Sequence, residues 1–319
     1  MKVGVIPPGP LLPAEASAGR PAVRRADLVS VIIPHFNDYD GLDACLTLLG
    51  QQTFPRERSE IIVADNGSTR GVEAVRALVG DRAIVVEATE RGAGPARNAG
   101  VKASSGEALA FIDSDCRPDS RWLEEGVKTL GSADFAGGAI NVLVDDPGSL
   151  SGAEAFEAVF AFQNERYVKD KQFTVTASMF VWRSVFDAVG GFENGVPEDI
   201  DWCDRAKRKG FQIAYAPAAI VGHPARRNMA ELKKKWRRLT LESIGAANRA
   251  GVSAHRVLLR QWLVLLSIAP HAVTALTSRK ISGPGIRLRA LWALAVIRTN
   301  RFLLAHRILL SPQSRSKPR

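Results

Sequence analysis

Two short acidic clusters are the first residues in this 319-residue sequence that could do chemistry. Asp113 and Asp115 flank Ser114 directly after the apolar run Ala-Leu-Ala-Phe-Ile, and Glu198 and Asp199 precede Ile200 and Asp201. Alternating side chains at a strand end offer two carboxylates to a divalent cation bridged to phosphates. Close carboxylates repel one another and raise a pKa unless something positive is near; bound Mg2+ or Mn2+ would be that charge. The second cluster could supply a general base, or could simply complement the dipole of the helix it opens. Asp113 to Asp115 could likewise only cap the helix expected near Arg121 or shape the turn at Arg117 and Pro118.

The elements that must position these groups follow from periodicity. Val29, Val31, Ile32 and Ile33 form a short β-rich run ended by Pro34, and a helix over 40–52 follows it. The alternation repeats: strand 60–65, helix 72–79, strand 83–86, helix 93–103, strand 108–113, helix 121–130. Strands alternating with helices predict a mostly parallel sheet covered on both faces. Ligands in such sheets sit beyond the carboxyl ends of the strands. Those ends carry Pro34 to Asn37, Asp65 to Ser68, and Asp113 to Asp115. Further on, 133–144 reads as a Gly-interrupted strand and 153–169 as one helix with Phe156, Phe160 and Tyr167 near one face. A strand is expected over 174–182, helices over 184–189 and 200–209, and a strand over 212–216.

In order and spacing, five segments resemble the family 2 glycosyltransferases of the GT-A fold. They are Val29-Ser-Val-Ile-Ile-Pro-His-Phe-Asn37, Glu60-Ile-Ile-Val-Ala-Asp-Asn-Gly-Ser-Thr69, Gly94-Pro-Ala-Arg-Asn-Ala-Gly100, Phe111-Ile-Asp-Ser-Asp115 and Pro197-Glu-Asp-Ile-Asp201. The likeness covers about residues 28–224. It implies an α/β GT-A-type sheet flanked by helices, an inverting transfer from a nucleotide-sugar, with a UDP-sugar expected, and Mn2+ or Mg2+ as cofactor. Carried over residue by residue, it implies that Pro34, Phe36 and Asn37 line the nucleotide pocket and that Asp65 accepts from the base edge. Arg97 would reach the nucleotide, Asp113 and Ser114 would serve the ribose or the metal's water, and Asp115 would be the principal metal ligand. His223 would meet the metal or diphosphate, and the pair Glu198 and Asp199 would face the acceptor, with Asp199 as base. Many relatives carry another acid where this chain has Cys116; a soft thiol is a poor partner for Mg2+, so Cys116 is not assigned to the metal. That substitution motivates the alternative of a non-catalytic nucleotide-sugar-binding scaffold in a membrane glycan-assembly complex. A dinucleotide-dependent oxidoreductase is disfavoured because no GxGxxG follows the first strand.

Composition supplies the setting. Cys45, Cys116 and Cys203 are odd in number and outside any CxxC spacing, which points to neither a disulfide framework nor a zinc site and to a reducing compartment. Residues 1–27 read as a flexible leader, because prolines break every apolar piece that could be a secretory signal. The formal charge of +10 conceals an asymmetry: from Arg226 onward there are twenty Lys and Arg against Glu231 and Glu242, so this part is +18 and the rest −8. The expected division is a catalytic domain over 28–228 and a basic amphipathic helical tail over 229–319. Arg260 and Pro270 bracket one apolar block of the tail, and Arg298, Asn300 and Arg301 split another, which favours interfacial or re-entrant helices over a spanning one. Trp236, Trp262 and Trp292 are the expected headgroup-level anchors. The charge alone would also suit nucleic acid, but no recognition motif accompanies it. The expectation is a cytoplasmic protein, peripheral at the inner face of the cell membrane, acting on a saccharide or lipid-linked acceptor.

Overall fold

The computed structural model describes residues 24–311. In chain order its elements are β1 (Val29–His35), α1 (Tyr39–Leu49), β2 (Ser59–Asp65), α2 (Val72–Val79), β3 (Ile84–Glu87), α3 (Ala93–Ala103), β4 (Ala108–Phe111), β5 (Arg117–Pro118), α4 (Trp122–Leu130) and β6 (Phe135–Leu143). There follow α5 (Gly152–Phe160), α6 (Asn164–Lys171), β7 (Met179–Trp182), α7 (Arg183–Val189), α8 (Glu198–Arg208), β8 (Ile213–Pro224), α9 (Met229–Arg249), α10 (Ala254–Leu266), α11 (Ile268–Thr277) and α12 (Pro284–Leu309).

The strands form one sheet in the order β3-β2-β1-β4-β7-β6-β8-β5. The first four run parallel, with His35 opposite Asp65 and Ile32 opposite Phe111, so the expected parallel half is present. β7 then runs antiparallel to both β4 and β6, β8 pairs parallel with β6, and β5 caps the edge antiparallel to β8. The near-continuous apolar runs of β1, β2 and β4 are what a sheet buried on both faces needs. Close helix approach is bought with glycine: a Cβ on Gly100 of α3 would lie 2.6 Å from Ile32, and one on Gly126 of α4 would fall inside the Phe180 ring.

Several expected boundaries shift for tertiary reasons. The helix expected over 153–169 is two, α5 and α6, broken where Phe162 takes a positive φ of 49°. Asn164 is buried and donates to the Gly138 carbonyl, and this pins the start of α6 to β6. Phe156 and Phe160 touch, but Tyr167 stacks on Phe173 instead of sharing their face. Only Met179–Trp182 of the expected strand 174–182 is extended, since 176–178 form a 3-10 turn. The strand expected over 212–216 instead continues to Pro224, because all of its outer half pairs with β6, and this extension delivers His223.

The expected leader lies outside the described residues except for 24–27, which pack on the body. Ala26 is in the core, and the Arg24 guanidinium lies 4.2 Å from the Trp182 ring centroid. The tail is also not a free appendage: Leu232 of α9 and Ala293, Leu294 and Ile297 of α12 share a buried cluster with Phe156. Trp236 belongs to this packing, edge-on to Phe156 and under Arg301, so it is not a surface anchor; Trp262 and Trp292 are about half exposed. By length and composition the stretch Ala254–Thr277 is long and apolar enough to cross a membrane, and little of it is buried. The stretch is divided at Ser267 into α10 and α11, and Pro270 sits in the first turn of α11, where a missing N–H costs little.

Candidate active site

Parallel pairing brings the carboxyl ends of β1, β2 and β4 to one edge of the sheet, and the polar motifs meet there. His35 is buried at the end of β1, with Nδ1 3.1 Å from Asp65 Oδ1 and 3.3 Å from Ser68 Oγ. Asp65 also accepts from the Ser68 hydroxyl at 2.5 Å and the Ser68 backbone N–H at 3.1 Å. Burial alone would raise the Asp65 carboxyl, but Ser68 and His35 hold it below the ordinary range, so it stays an acceptor. Asn37 adopts a left-handed φ of 61° and accepts from the backbone and hydroxyl of Thr69, tying the two strand ends together. Phe36 is 47 % exposed, which removes core packing as its role, and the Arg91 guanidinium lies 5.6 Å from its ring. Pro34 is half-buried beside it.

Arg97, on α3, is buried and joins the acidic clusters: Nη2 donates to Asp113 Oδ1 at 2.6 Å and Nη1 to Glu198 Oε1 at 2.9 Å. Burial works against its charge, yet Asp113 and Glu198 outweigh burial and keep the guanidinium firmly protonated. Burial likewise opposes ionisation of Asp113, and Arg97 overcomes it, so Asp113 lies below the ordinary range. The fork that was expected to reach the nucleotide therefore has two of its nitrogens committed to protein carboxylates.

Asp115 has no such clamp. Burial and the neighbouring Asp113 raise its carboxyl against the pull of His223 and Arg226. His223 Nε2 faces Asp115 Oδ1 at 3.5 Å. Its Nδ1 is 2.9 Å from the Pro224 carbonyl, which can only accept, so Nδ1 carries a proton and Nε2 is the nitrogen turned to the acids. The ring is backed by Phe162, centroids 4.4 Å apart. Ligand atoms of Asp113, Asp115, Cys116 and His223 all lie within 4.8 Å of one another. Burial keeps the Cys116 thiol protonated, leaving two carboxylates and one imidazole, a donor set that suits Mn2+ or Mg2+. Ser114 is buried between the two acids.

Glu198 and Asp199 open α8 and split in role. Glu198 is tied to Arg97, whereas among the described residues Asp199 accepts only from the Ile200 backbone N–H. Burial, then the charge of Glu198, pushes the Asp199 carboxyl up to about 7, where it can take a proton near neutral pH. A cavity of about 660 Å³ is lined by Val168, Lys207 and Tyr215 among others, and by none of the acidic site residues.

The family model for glycosyl transferase family 2 matches residues 30–190. Glycosyltransferase AglE of Haloferax volcanii is 34% identical over 217 residues, 66% of this chain and 71% of that protein. The chain belongs to glycosyltransferase family 2. The family relatives include a pre-mycofactocin glycosyltransferase of Mycobacterium tuberculosis, 29% identical over 209 residues, 62% of this chain and 43% of that longer protein. A mannosyltransferase from Pyrobaculum calidifontis, PcManGT, solved with GDP-Man and Mn2+, superposes with a TM-score of 0.51 at 19% identity, over 96% of this chain and 80% of that one. The last likeness shows that this family member has the GT-A fold.

Among the site residues, sequence reasoning gave no role to His35, Ser68, Phe162 or Arg226. His35 and Ser68 lie inside the quoted motifs and were within reach. Phe162 and Arg226 carried no motif, and only folding brings them to the site.

Proposed function

We propose that the protein transfers a sugar from a nucleoside diphosphate sugar, with a UDP-sugar expected, to an acceptor hydroxyl in glycan biosynthesis, inverting the anomeric configuration. Asp199 takes the proton of the attacking hydroxyl as its oxygen bonds to the anomeric carbon, and the bond from that carbon to the phosphate oxygen breaks. Arg97 fixes Asp113 and Glu198, which keeps Glu198 from competing as the base. Asp65 and the exposed Phe36 ring suit the base edge and base face, and Pro34 and Asn37 shape the pocket wall. Asp115 and His223 are the residues that would hold Mn2+ or Mg2+, whose charge would neutralise the departing diphosphate. The observation that carries this reading is the orientation of His223, whose Nδ1 is spent on Pro224 so that Nε2 closes on Asp115.

The acceptor in this reading is lipid-linked and is met at the anionic inner face of the cell membrane. Leu259, Trp262, Leu263 and Leu266 of α10 and Leu288 and Trp292 of α12 are exposed apolar residues on a strongly basic tail, the composition of a membrane-surface helix. The test is turnover of a panel of nucleotide-sugars with and without Mn2+, in the parent, Asp115→Ala and Asp199→Asn. Metal-dependent turnover that is lost in Asp115→Ala, and that drops in Asp199→Asn with donor binding kept, is the expected result. Binding without turnover, with acceptor extracts supplied, would favour the non-catalytic scaffold, and no nucleotide-sugar binding would overturn the proposal.

A further inference from the structure

Two arginines of α12 lie in or beside its packed seam. Ala293, Leu294, Ile297, Ala305 and Leu309 are buried along that helix, and Arg301 takes the position between Ile297 and Ala305, four residues from each. Arg298 stands three residues before it, a spacing that makes the two side chains neighbours on the helix surface. Both Nε atoms are buried without a hydrogen-bond partner. The Arg301 guanidinium lies 4.6 Å from the Trp236 ring centroid on α9, a contact that holds the charge without neutralising it. No Asp or Glu follows Glu242 in the sequence, and Glu242 is bonded to Arg238. Burial pushes the Arg301 guanidinium down to about 10, with Arg298 adding to the effect, and burial lowers Arg298 as well; both remain charged at neutral pH. Two like charges side by side and partly out of water are unfavourable until an anion joins them.

The surface beside the pair is apolar. Phe302 follows Arg301 and meets Trp262 of α10 edge-on, centroids 4.6 Å apart. Trp262 is about half exposed, Leu259, Leu263 and Leu266 continue the same face of α10 in the open, and Leu303 is exposed on α12. A soluble anion would satisfy the guanidiniums and leave these side chains in water. A lipid with a charged headgroup satisfies both, with phosphate oxygens on the planar forks and acyl chains on the apolar residues.

We propose that Arg298 and Arg301 form a binding site for the phosphate headgroup of an anionic membrane lipid, whose acyl chains lie along the exposed face of α10. The site rests on the proposed membrane-surface reading of the tail and deepens it, since two named side chains then act where a diffuse basic attraction stood. The two differ in their response to salt. Attraction between exposed charges is screened, whereas a partly buried pair in contact with its anion is screened much less.

The test is flotation of the full chain with phosphatidylcholine vesicles, with and without phosphatidylglycerol, at about 0.15 M and about 0.5 M NaCl. The parent is expected to prefer the anionic vesicles at both salt concentrations. Arg298→Gln with Arg301→Gln should lose about thirtyfold in affinity for the anionic vesicles, as for two cations removed from an anionic surface, and keep its weaker binding to the neutral ones. Arg256→Gln with Arg260→Gln, at two exposed arginines of α10, removes the same charge and should matter only at the lower salt. Inorganic phosphate should not displace the parent from the vesicles; displacement would give the pair to a soluble anion instead. The thermal midpoint of the Arg298 and Arg301 variant without lipid should not fall, and a drop of several degrees would make the pair structural and overturn the site. An anionic preference that survives in this variant, or that vanishes from the parent at the higher salt, also overturns the site while leaving the membrane reading intact. If the parent binds neither vesicle, both readings fall.

Discussion

Replacing Asp199 by Asn should slow the enzyme and, at alkaline pH, stabilise it. The carboxyl is raised from an ordinary 3.8 to about 7 by burial and by Glu198, in surroundings that also hold Arg97, Asp113 and, nearby, Tyr167 and Cys203. Between those two values the folded chain holds a proton that the unfolded chain has released. Stability from this group is therefore complete below about 4, declines as pH rises and is gone above about 7. At ~1.36 kcal/mol per pH decade the full shift corresponds to about 4 kcal/mol. Solvent reaches this residue in part, and screening reduces the realised effect to about 1–2 kcal/mol. For a chain of 319 residues that is a Tm rise of about 1.5–3 °C for Asp199→Asn over the parent at pH 8, falling to about a third of that at pH 5 and vanishing below about pH 4. Differential scanning calorimetry at the two pH values measures it. An equal shift at both, or a lower Tm for the variant at pH 8, would refute the claim that the site strains this carboxylate. In parallel, kcat of the parent should fall as pH drops below about 7, and the variant should lose about 10²- to 10⁴-fold, the range of a general base.

Three further outcomes are expected. Arg97→Met leaves Asp113 and Glu198 without their shared cation, and urea titration should show a loss of about 3–5 kcal/mol; a loss under 1 kcal/mol would mean that the bridge does not hold the site together. Gly126→Ala forces a methyl into the Phe180 ring and should cost about 1–3 kcal/mol, seen as a lower thermal midpoint with unchanged nucleotide binding. Trp262→Glu with Leu263→Glu should abolish co-sedimentation with anionic liposomes while leaving the fold intact; retained binding would argue against the tail as a membrane surface. Point substitutions are preferred to removing the tail, because α9 and α12 share a core with α5 and truncation would expose it.

Much of the nucleotide half was legible in the sequence because its signals are local. The apolar runs of β1, β2 and β4 each end in polar residues, and parallel pairing alone is enough to gather Pro34 to Asn37, Asp65 and Asp113 to Asp115 on one edge. The acidic start of α8 was equally readable, although the helix begins at Glu198, two residues before the expected 200. The family motifs span this same region, and the family assignment rests on it.

What the sequence could not decide depends on long-range pairing. Helical periodicity runs through 153–169 without a break, yet Asn164 finds its partners on β6 and near Thr174, and the helix splits to put Phe162 against His223. The carboxylates of Glu198 and Asp199 are neighbours of one chemical type. Only the approach of Arg97 from α3 separates them into a clamped acid and one whose proton is held to about pH 7. The tail's charge and apolar content were plain in composition, whereas its docking on α5, the packing of Trp236 against Phe156 and the arrival of Arg226 beside Glu157 were not. Sequence fixes which groups exist and which local element carries them; tertiary structure fixes their distances and dielectric surroundings, and those set each group's charge and therefore its chemistry.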